Sequence, residues 1–399
     1  MAPRSAVFDV AVLGGGAAGI VAGISACRLG KSVVICERMP RLGKKILASG
    51  NGRCNLLNED LSDKFYNLKA RPLVKSIFAK FGKNEISEFF KALGLETYSD
   101  AGRIFPITNQ SASVLKILEI GLARLTIPVE LNFEVVSVTG EKNEFIIASK
   151  TGRKIYSKAL IIAGGGKSYP AFGSDGSSYK FAEKFGHKII EPVPSAVPLT
   201  VKDPLCHALQ GQKILANAKA VAGGRVLAEA AGELLFTKYG LSGTSILDIS
   251  REISVYVNRL HKKDAAVIID MVPFMDTARL ERELSERLND SCSPEELMAG
   301  ILPNRFGLAL EGILKTKDAG FIAEKLKARE FKVAGTRGWN EADFTAGGID
   351  IADVRHETLE SKLKSGLYFA GEVLDVDGCR GGYNLAWAWA SGHVAGLTQ

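Results

Sequence analysis

The sequence predicts an α/β protein in which a parallel-sheet domain is built from both ends of the chain and split by an insertion that is β-rich and then helical. Three observations predict it. Short apolar runs at residues 8–13 (FDVAVL) and 158–163 (KALIIA) each end in three glycines, the pattern of a buried strand bounded by turns. A small-residue helical stretch, 17–29, separates the first run from a second at 32–36 (SVVIC). The same strand-then-helix, glycine-rich character returns after Phe344, once an unlike stretch has intervened.

Composition narrows the classes. The chain has 399 residues, 46% hydrophobic and 24% charged, the balance of an ordinary soluble globular protein. At roughly 100–200 residues per domain it holds two or three domains. Gly 42 of 399 exceeds the average of about 7%, and the excess gathers at a few loops. No stretch approaches the ~18 consecutive apolar residues of a membrane helix. Met1-Ala2-Pro3-Arg4 runs straight into the first strand without the apolar core of a cleavable leader, so a cytoplasmic location and no membrane partner are expected. Cys27, Cys36, Cys54, Cys206, Cys292 and Cys379 form no CxxC pair, which argues against zinc and a disulfide framework; no metal is expected. Lys+Arg 51 minus Asp+Glu 44 gives +7. Spread without a basic block, that charge hints at an anionic ligand and is poor evidence for nucleic acid.

The elements follow in order. Residues 8–13, 17–29 and 32–36 read as strand, helix and strand, with Gly30 closing the helix. Residues 41–58 form a Gly/Lys/Asn-rich loop too polar for core. Asn84 is the expected N-cap of a helix over 85–93, and 111–125 is a further amphipathic helix. Alternating runs over 129–156 suggest a small antiparallel layer, ahead of the buried strand 158–163. Three prolines within 191–198 (EPVPSAVP) mark the crossing into the insertion, since proline cannot donate to a ladder. There, Ser293-Pro294-Glu295-Glu296 is a capping box with proline at the first helical position. The expected domains are 1–194, the first part of the sheet domain; 195–336, the insertion on the substrate side; and 337–399, the second part.

Gly14-x-Gly16-x-x-Gly19 follows the first strand and opens the first helix. In such a turn one glycine permits the bend, one lets a pyrophosphate approach the backbone, and one lets helix and strand pack. The pyrophosphate would sit on the helix N-terminus. Glu37 ends the next strand, 37 − 19 = 18 positions on, near the ~20 expected of an acidic residue that accepts from ribose hydroxyls. It argues against a 2′-phosphate. The plain alternative is a structural turn with an exposed glutamate.

Later segments bear on FAD versus NAD. Ala163-Gly164-Gly165 ends a strand without opening a second dinucleotide turn, and Lys167-Ser168-Tyr169-Pro170 disfavours helix there. Residues 367–372 (LYFAGE), Asp375-Val376-Asp377-Gly378 and Gly381-Gly382-Tyr383-Asn384-Leu385 read as strand, acidic turn, glycine pair and helix. Such a helix tip can face a flavin ring and stabilise charge at N1–C2=O; the alternative is a glycine turn before a core helix bearing Trp387 and Trp389. The loop holding Arg41, Lys44, Lys45, Arg53, Cys54 and Asn55 suits an anionic cofactor or is a solvated surface loop.

Together these segments resemble the bacterial flavoprotein family of the YhiN/BaiN type, whose members are labelled NAD(P)/FAD-dependent oxidoreductases and include aminoacetone oxidases and a bile-acid-intermediate reductase. The matching stretches are 43–55 (GKKILASGNGRCN), 102–106 (GRIFP), 165–170 (GGKSYP), 232–243 (GELLFTKYGLSG), 345–350 (TAGGID) and 366–392 (GLYFAGEVLDVDGCRGGYNLAWAWASG), in family order. The resemblance implies non-covalent FAD in a split Rossmann-like FAD-binding domain. Position by position it implies Glu37 on the adenosine ribose, Gly16 and Ala18 on the pyrophosphate, and Lys44, Arg53 and Asn55 at the cofactor. Val135 would meet adenine through its backbone, with Ala163 and Gly164 nearby. Gly371, Glu372, Asp377, Tyr383, Asn384 and Leu385 would line the pyrophosphate-ribityl and flavin region. Gly14, Ala17, Gly19, Arg38, Cys54, Gly165 and Gly382, which flank these positions, complete the expected set. The chain departs from the family at Gly164, Lys238, Arg380, Ala386 and Leu57; the added charge of Lys238 and Arg380 bears on the substrate rather than on FAD.

Cys54 and Cys379 form either a redox pair or two small packing residues; their spacing matches no redox motif. His187 and His207 read as structural. Tyr169, Lys238 and Tyr239 are candidates to orient a substrate, and no catalytic acid or base is assigned, since the flavin itself takes the hydride. The expected enzyme is an FAD-dependent oxidoreductase transferring a hydride between flavin N5 and a small organic substrate. NAD(P)H is a candidate transient donor, because a single dinucleotide fingerprint is present. One alternative is an aminoacetone-type amine oxidase reducing O2 to hydrogen peroxide. Another, from a different class, is an FAD-containing RNA-binding or RNA-modifying protein; charge without an aromatic stripe makes nucleic acid the less expected partner. The oligomeric state is left open.

Overall fold

The structure, a computed structural model, describes residues 7–141, 144–290 and 292–397. The Met1-Ala2-Pro3-Arg4 start, Lys142 and Asn143 of the expected 129–156 layer, and Ser291, Thr398 and Gln399 lie outside the described residues. The chain divides into two units, Met1–Pro192 with Phe344–Gln399, and Val193–Asp343. Residues 337–343, expected with the sheet domain, go with the insertion. The Arg337 N–H donates to the Pro198 carbonyl at 2.8 Å and the Asp343 N–H to that of Ala196 at 3.2 Å.

The first unit is built on a seven-stranded sheet in the order Val129–Glu130, Val33–Cys36, Val7–Leu13, Lys154–Ile162, Glu144–Ser149, Val135–Glu141, with Leu367–Phe369 also on Lys154–Ile162. The pairings from Val129–Glu130 through to Lys154–Ile162, and from there to Leu367–Phe369, are parallel. Val10, Ala11, Val12 and Leu13 are buried without alternation, as in a parallel sheet covered on both faces. The expected antiparallel layer is not a separate one. Glu144–Ser149 pairs antiparallel with Lys154–Ile162 and turns back into Val135–Glu141, so it widens the main sheet.

Helix Ala17–Arg28 lies against the C-terminal helix Tyr383–Leu397. A Cβ on Gly392 would stand 2.3 Å from the Ala18 carbonyl oxygen, so the close approach requires glycine. The two ends of the chain thus share one layer. Two local expectations change. Within the supposed polar loop 41–58, Leu42, Ile46, Cys54, Leu56 and Leu57 are buried, and Lys44–Ala48 is a short helix. The helix expected from Asn84 starts at Lys83, because the Glu85 carboxylate reaches back to accept the Gly82 N–H at 2.9 Å.

The second unit is a closed barrel of Leu199–Val201, Gly240–Ser242, Arg225–Thr237, Lys213–Ala222, Ala265–Asp270 and Arg329–Thr336. Along Lys213–Ala222, Ile214, Ala216, Ala218, Ala220 and Ala222 are buried while Lys213, Leu215, Asn217 and Lys219 face outward, the period of two that a strand imposes. Phe236 meets Phe306 edge-on at 5.7 Å. The capping box forms here: the Ser293 N–H donates to the Glu296 carboxylate at 2.7 Å, and the Glu296 N–H to the Ser293 hydroxyl at 3.3 Å. No helix among the described residues is long and apolar enough to cross a membrane.

Candidate functional site

Glu37, Gly14, Ala163 and Ala370 each follow the last residue of one of four neighbouring parallel strands. This is the sheet edge at which open α/β folds take their ligands. Backbone bonds lace it together: Gly14 N–H to the Cys36 carbonyl at 2.8 Å, Ala163 N–H to that of Leu13 at 2.8 Å, and Ala370 N–H to that of Ile162 at 3.0 Å.

The three fingerprint glycines meet different surroundings. At Gly14, with φ +108°, a Cβ would fall 2.5 Å from the Ala163 oxygen; at Gly19 it would fall 1.8 Å from the Gly14 oxygen. At Gly16 it would meet nothing within 4 Å. Gly16 is the N-cap of Ala17–Arg28, which has no side-chain cap and no acidic residue in its first turn. No side chain caps this helix end and the space beside Gly16 is open, so the positive end of the helix dipole is left in an arrangement suited to an anion.

Glu37 is buried, and its two oxygens accept the Gly15 N–H at 2.7 Å and the Met39 N–H at 2.8 Å. Burial pushes its pKa up, and the bonds from Met39 and Gly15 pull against that rise. Each oxygen keeps a second lone pair for a hydroxyl donor. The Phe133 N–H donates to the Glu37 carbonyl at 2.9 Å, which carries the chain past this edge to Val135. Arg38 turns aside to Asp175 at 2.6 Å and Ser177 at 3.3 Å.

The opposite wall is the turn Gly371–Val373. A Cβ on Gly371 would lie 2.8 Å from that of Ala18. The Gly371 N–H donates to the Ser391 hydroxyl at 2.9 Å, and its carbonyl accepts from Trp387 Nε1 at 3.1 Å. Glu372 Oε1 accepts the Thr345 N–H at 2.8 Å and the Ser168 hydroxyl at 3.1 Å; Oε2 accepts Lys45 Nζ at 2.5 Å. Lys45 Nζ also donates to Ser168 Oγ at 2.8 Å, and Thr345 Oγ1 accepts the N–H groups of Lys167 and Ser168 at 2.8 and 3.2 Å. Close by, the buried Tyr179 hydroxyl has no hydrogen-bond partner. Burial and the Glu372 and Asp375 charges push its pKa up. Thr345 and Tyr179 are absent from the residues expected from sequence, and Lys45 enters there only as one cation of the loop that suits an anionic cofactor. Lys44, which is expected, lies 5.9 Å over the Phe172 ring instead. Lys45, Ser168 and Thr345 all fall inside the resemblance segments, whereas nothing in the sequence marks Tyr179.

At the far end, helix Tyr383–Leu397 begins behind Gly382. The Tyr66 hydroxyl donates to the Tyr383 carbonyl at 2.7 Å, and Phe65 stacks on the Tyr383 ring at 4.6 Å. Burial pushes the Tyr383 phenol up to about 12. Asn384 closes the preceding turn by accepting the Gly378 N–H and donating to the Gly378 carbonyl, both at 2.9 Å. Asp377 is buried, with its N–H on Asn67 Oδ1 at 3.1 Å. Asn55 Oδ1 is buried without a hydrogen-bond partner, next to Gly382, where a Cβ would stand 2.8 Å from it. Leu385 is half-buried against the core.

Other residues singled out in the sequence have surroundings of their own. Arg53 bonds the Tyr98 hydroxyl at 2.8 Å and lies 4.2 Å over Phe105. Cys54 is buried, and burial pushes its thiol up to about 12, the state of an unreactive cysteine; Cys379 is exposed. Gly164 and Gly165 pass Ser178 and Ser174. His187 bonds the Ser361 hydroxyl at 2.6 Å, and burial lowers its pKa. Tyr169 stacks on Phe172 at 5.4 Å. Lys238 is exposed in the second unit, and Arg337 lies 4.5 Å over the Tyr239 ring. A dinucleotide fits the first-unit edge. Gly16 fronts open space at an uncapped helix end, Glu37 offers acceptors, and Asn55 holds an unanswered oxygen beside Gly382.

Comparisons with known proteins agree with this fold. The family profile described as HI0933-like protein Rossmann domain matches residues 8–398. The 3-dehydro-bile acid delta(4,6)-reductase of Clostridium scindens is 36% identical over 97% of this chain and 98% of its own length. The ribosomal RNA dihydrouridine synthase of Haemophilus influenzae is 30% identical, covering 97% of each. Among solved structures, 3-ketosteroid-delta4-(5alpha)-dehydrogenase from Rhodococcus jostii superposes with a TM-score of 0.51 at 15% identity, covering 100% of this chain and 98% of that one. The 3-ketosteroid delta1-dehydrogenase from Sterolibacterium denitrificans does so at 0.53 and 14%, covering 98% of each; at such identities the likeness is one of fold. The chain belongs to the HI0933-like family and is an oxidoreductase with a Rossmann-like FAD-binding fold.

Proposed function

We propose that the chain binds FAD non-covalently along the carboxyl edge of its sheet and, with NAD(P)H as electron donor, reduces a carbon–carbon double bond conjugated to a carbonyl in a small organic substrate. FAD, when bound, supplies the hydride. Overall, a hydride originating from NAD(P)H and one proton add across the double bond, leaving NAD(P)+ and the saturated carbonyl compound. Gly16, Ala17 and Ala18 would hold the pyrophosphate through N–H groups, Glu37 the ribose hydroxyls, and the Gly371–Glu372 turn the middle of the cofactor. The helix tip at Gly382–Tyr383 would set a positive dipole end against charge on the reduced ring.

The observation that carries this reading is the uncapped helix end at Gly16 with open space before it, in a chain matched end to end by a reductase. The substrate class draws support from chemistry that two relatives' names share. A 3-dehydro bile acid bears a ketone, and its delta(4,6) double bonds are conjugated to it. Dihydrouridine differs from uridine by two hydrogens across a double bond that is also conjugated to a carbonyl. The purified protein should be yellow, releasing unmodified FAD on denaturation. Anaerobic NADH or NADPH should bleach it, and a steroidal enone should restore the colour. A colourless chain that FAD cannot reconstitute would overturn the reading. Bleaching by aminoacetone, followed by peroxide formation in air, would instead favour the amine oxidase.

The Haemophilus influenzae relative supports a second reading, with uridine in ribosomal RNA as the substrate. Reoxidation of the reduced protein by ribosomal RNA, with dihydrouridine in the digested nucleosides, would select it. Its RNA binding should fall steeply with salt.

A further inference from the structure

We propose that Lys45 is a positioning residue of this groove: it holds the Glu372 carboxylate, and through it the Gly371 turn, in the arrangement that accepts the cofactor. The proposal rests on the FAD reading above and adds a residue and a role to it. Lys45 joins the two walls. Its short helix, Lys44–Ala48, is tied to the glycine turn by the Gly43 N–H, which donates to the Gly15 carbonyl at 2.9 Å. Its ammonium reaches the other wall at Glu372 Oε2 and also bonds Ser168 Oγ. The second Glu372 oxygen is held by neutral donors, the Ser168 hydroxyl and the Thr345 N–H, so Lys45 supplies the charge in this ring of contacts. Four chain segments meet there, and the residue before Glu372, Gly371, lies so near the fingerprint helix that a Cβ on it would stand 2.8 Å from that of Ala18.

Exposure of the two side chains is 29% and 20%, so solvent screens the pair and its net contribution to folding is small. Its geometric effect is larger. Ser168 is fully buried, and the carboxylate keeps its bonds to Ser168 and Thr345 while Lys45 holds it inward. Without Lys45, Oε2 loses its donor, the carboxylate is freer to turn toward water, and the Gly371 turn keeps its bonds to Ser391 and Trp387 but loses the tie that runs through Glu372 to the opposite wall. Lys44 does not substitute, since its ammonium is over Phe172.

The test uses the full chain stripped of flavin, as wild type, K45M, K45R, E372Q and the K45M/E372Q double variant. Titration calorimetry gives the FAD affinity, and visible circular dichroism reports the setting of the bound ring. K45M and E372Q should each weaken FAD binding about tenfold, or 1.4 kcal/mol, and alter the flavin dichroism. The double variant should bind no worse than either single one, because one contact is lost in each, and K45R should stay near wild type. Wild-type affinity and dichroism in K45M, or additive losses in the double variant, would overturn the proposal. If K45M does not fold, the E372Q and K45R pair decides: wild-type behaviour in E372Q sinks the idea. A wild-type chain that binds no FAD defeats the FAD reading itself, an outcome distinct from normal binding in K45M.

Discussion

The Glu37 carboxylate accepts the Gly15 N–H at 2.7 Å, so the acidic residue ending the second strand also pins the glycine turn that ends the first. Its role therefore begins before any ligand arrives. Glu37→Ala leaves the buried Gly15 N–H and the half-buried Met39 N–H without their acceptor, a cost of about 1–3 kcal/mol for an unpaired buried group. The flavin-free variant should melt at a lower temperature, and its FAD affinity should fall as well. Glu37→Gln keeps one carbonyl oxygen and should lose less on both counts. An unchanged melting temperature for flavin-free Glu37→Ala would mean that the turn holds itself.

The fingerprint glycines separate folding from binding. Gly19→Ala would drive a methyl to 1.8 Å from the Gly14 oxygen, and rigid backbone on both sides gives little relief, so a loss of about 3 kcal/mol or more is expected. Gly16→Ala meets nothing within 4 Å. That chain should fold and melt almost as wild type yet bind FAD at least about tenfold more weakly, because the added methyl takes the space a pyrophosphate needs. Equal effects of the two substitutions on melting would contradict this division.

What the sequence makes legible follows the range over which each cause acts. The glycine turn and the parallel core strands are set within a few residues: Val10 to Leu13 are apolar without alternation, and steric demands at Gly14 and Gly19 come from neighbours and the adjoining strand. The loop 41–58 misleads because its average polarity hides Leu42, Ile46, Leu56 and Leu57, each buried on its own. Closure of the barrel joins Leu199–Val201 to Arg329–Thr336, and no local pattern announces a pairing across that separation. Lys45 rather than Lys44 meets Glu372 because of the phase of a five-residue helix, which is too short for periodicity to fix. Arg38 is turned aside by Asp175, a partner remote in sequence.

Acid should act through His393. Its Nδ1 lies 2.8 Å from the Ser25 hydroxyl and its ring stacks on Phe81 at 3.7 Å. Burial, followed by the Arg28 charge, lowers its pKa to about 4, below the ~6.5 of an unfolded histidine. The unfolded chain therefore takes up this proton first as pH falls. The stability linked to the neutral ring is whole above pH ~6.5 and is lost progressively toward pH ~4. His393→Leu should flatten this acid limb. Urea midpoints for both proteins across that window give the test, and identical slopes would remove His393 from the account.

The C-terminal helix grips the Gly371 turn twice, through Trp387 Nε1 on the Gly371 carbonyl and through Ser391 Oγ on its N–H. Trp387→Phe keeps most of the ring and strands a buried carbonyl; Ser391→Ala strands a buried N–H. Each should cost about 1–3 kcal/mol. The Ser391 hydroxyl also bonds the Trp387 carbonyl, so the two grips share a frame, and the double variant should lose less than the sum of the single losses. Because the Gly371 turn carries Glu372 and abuts Ala18, loosening it should weaken FAD binding in step with stability. Melting and FAD titration of the three variants test this directly. Full additivity in stability would show two independent anchors, and intact FAD affinity in the double variant would show that the groove does not need the turn held rigid.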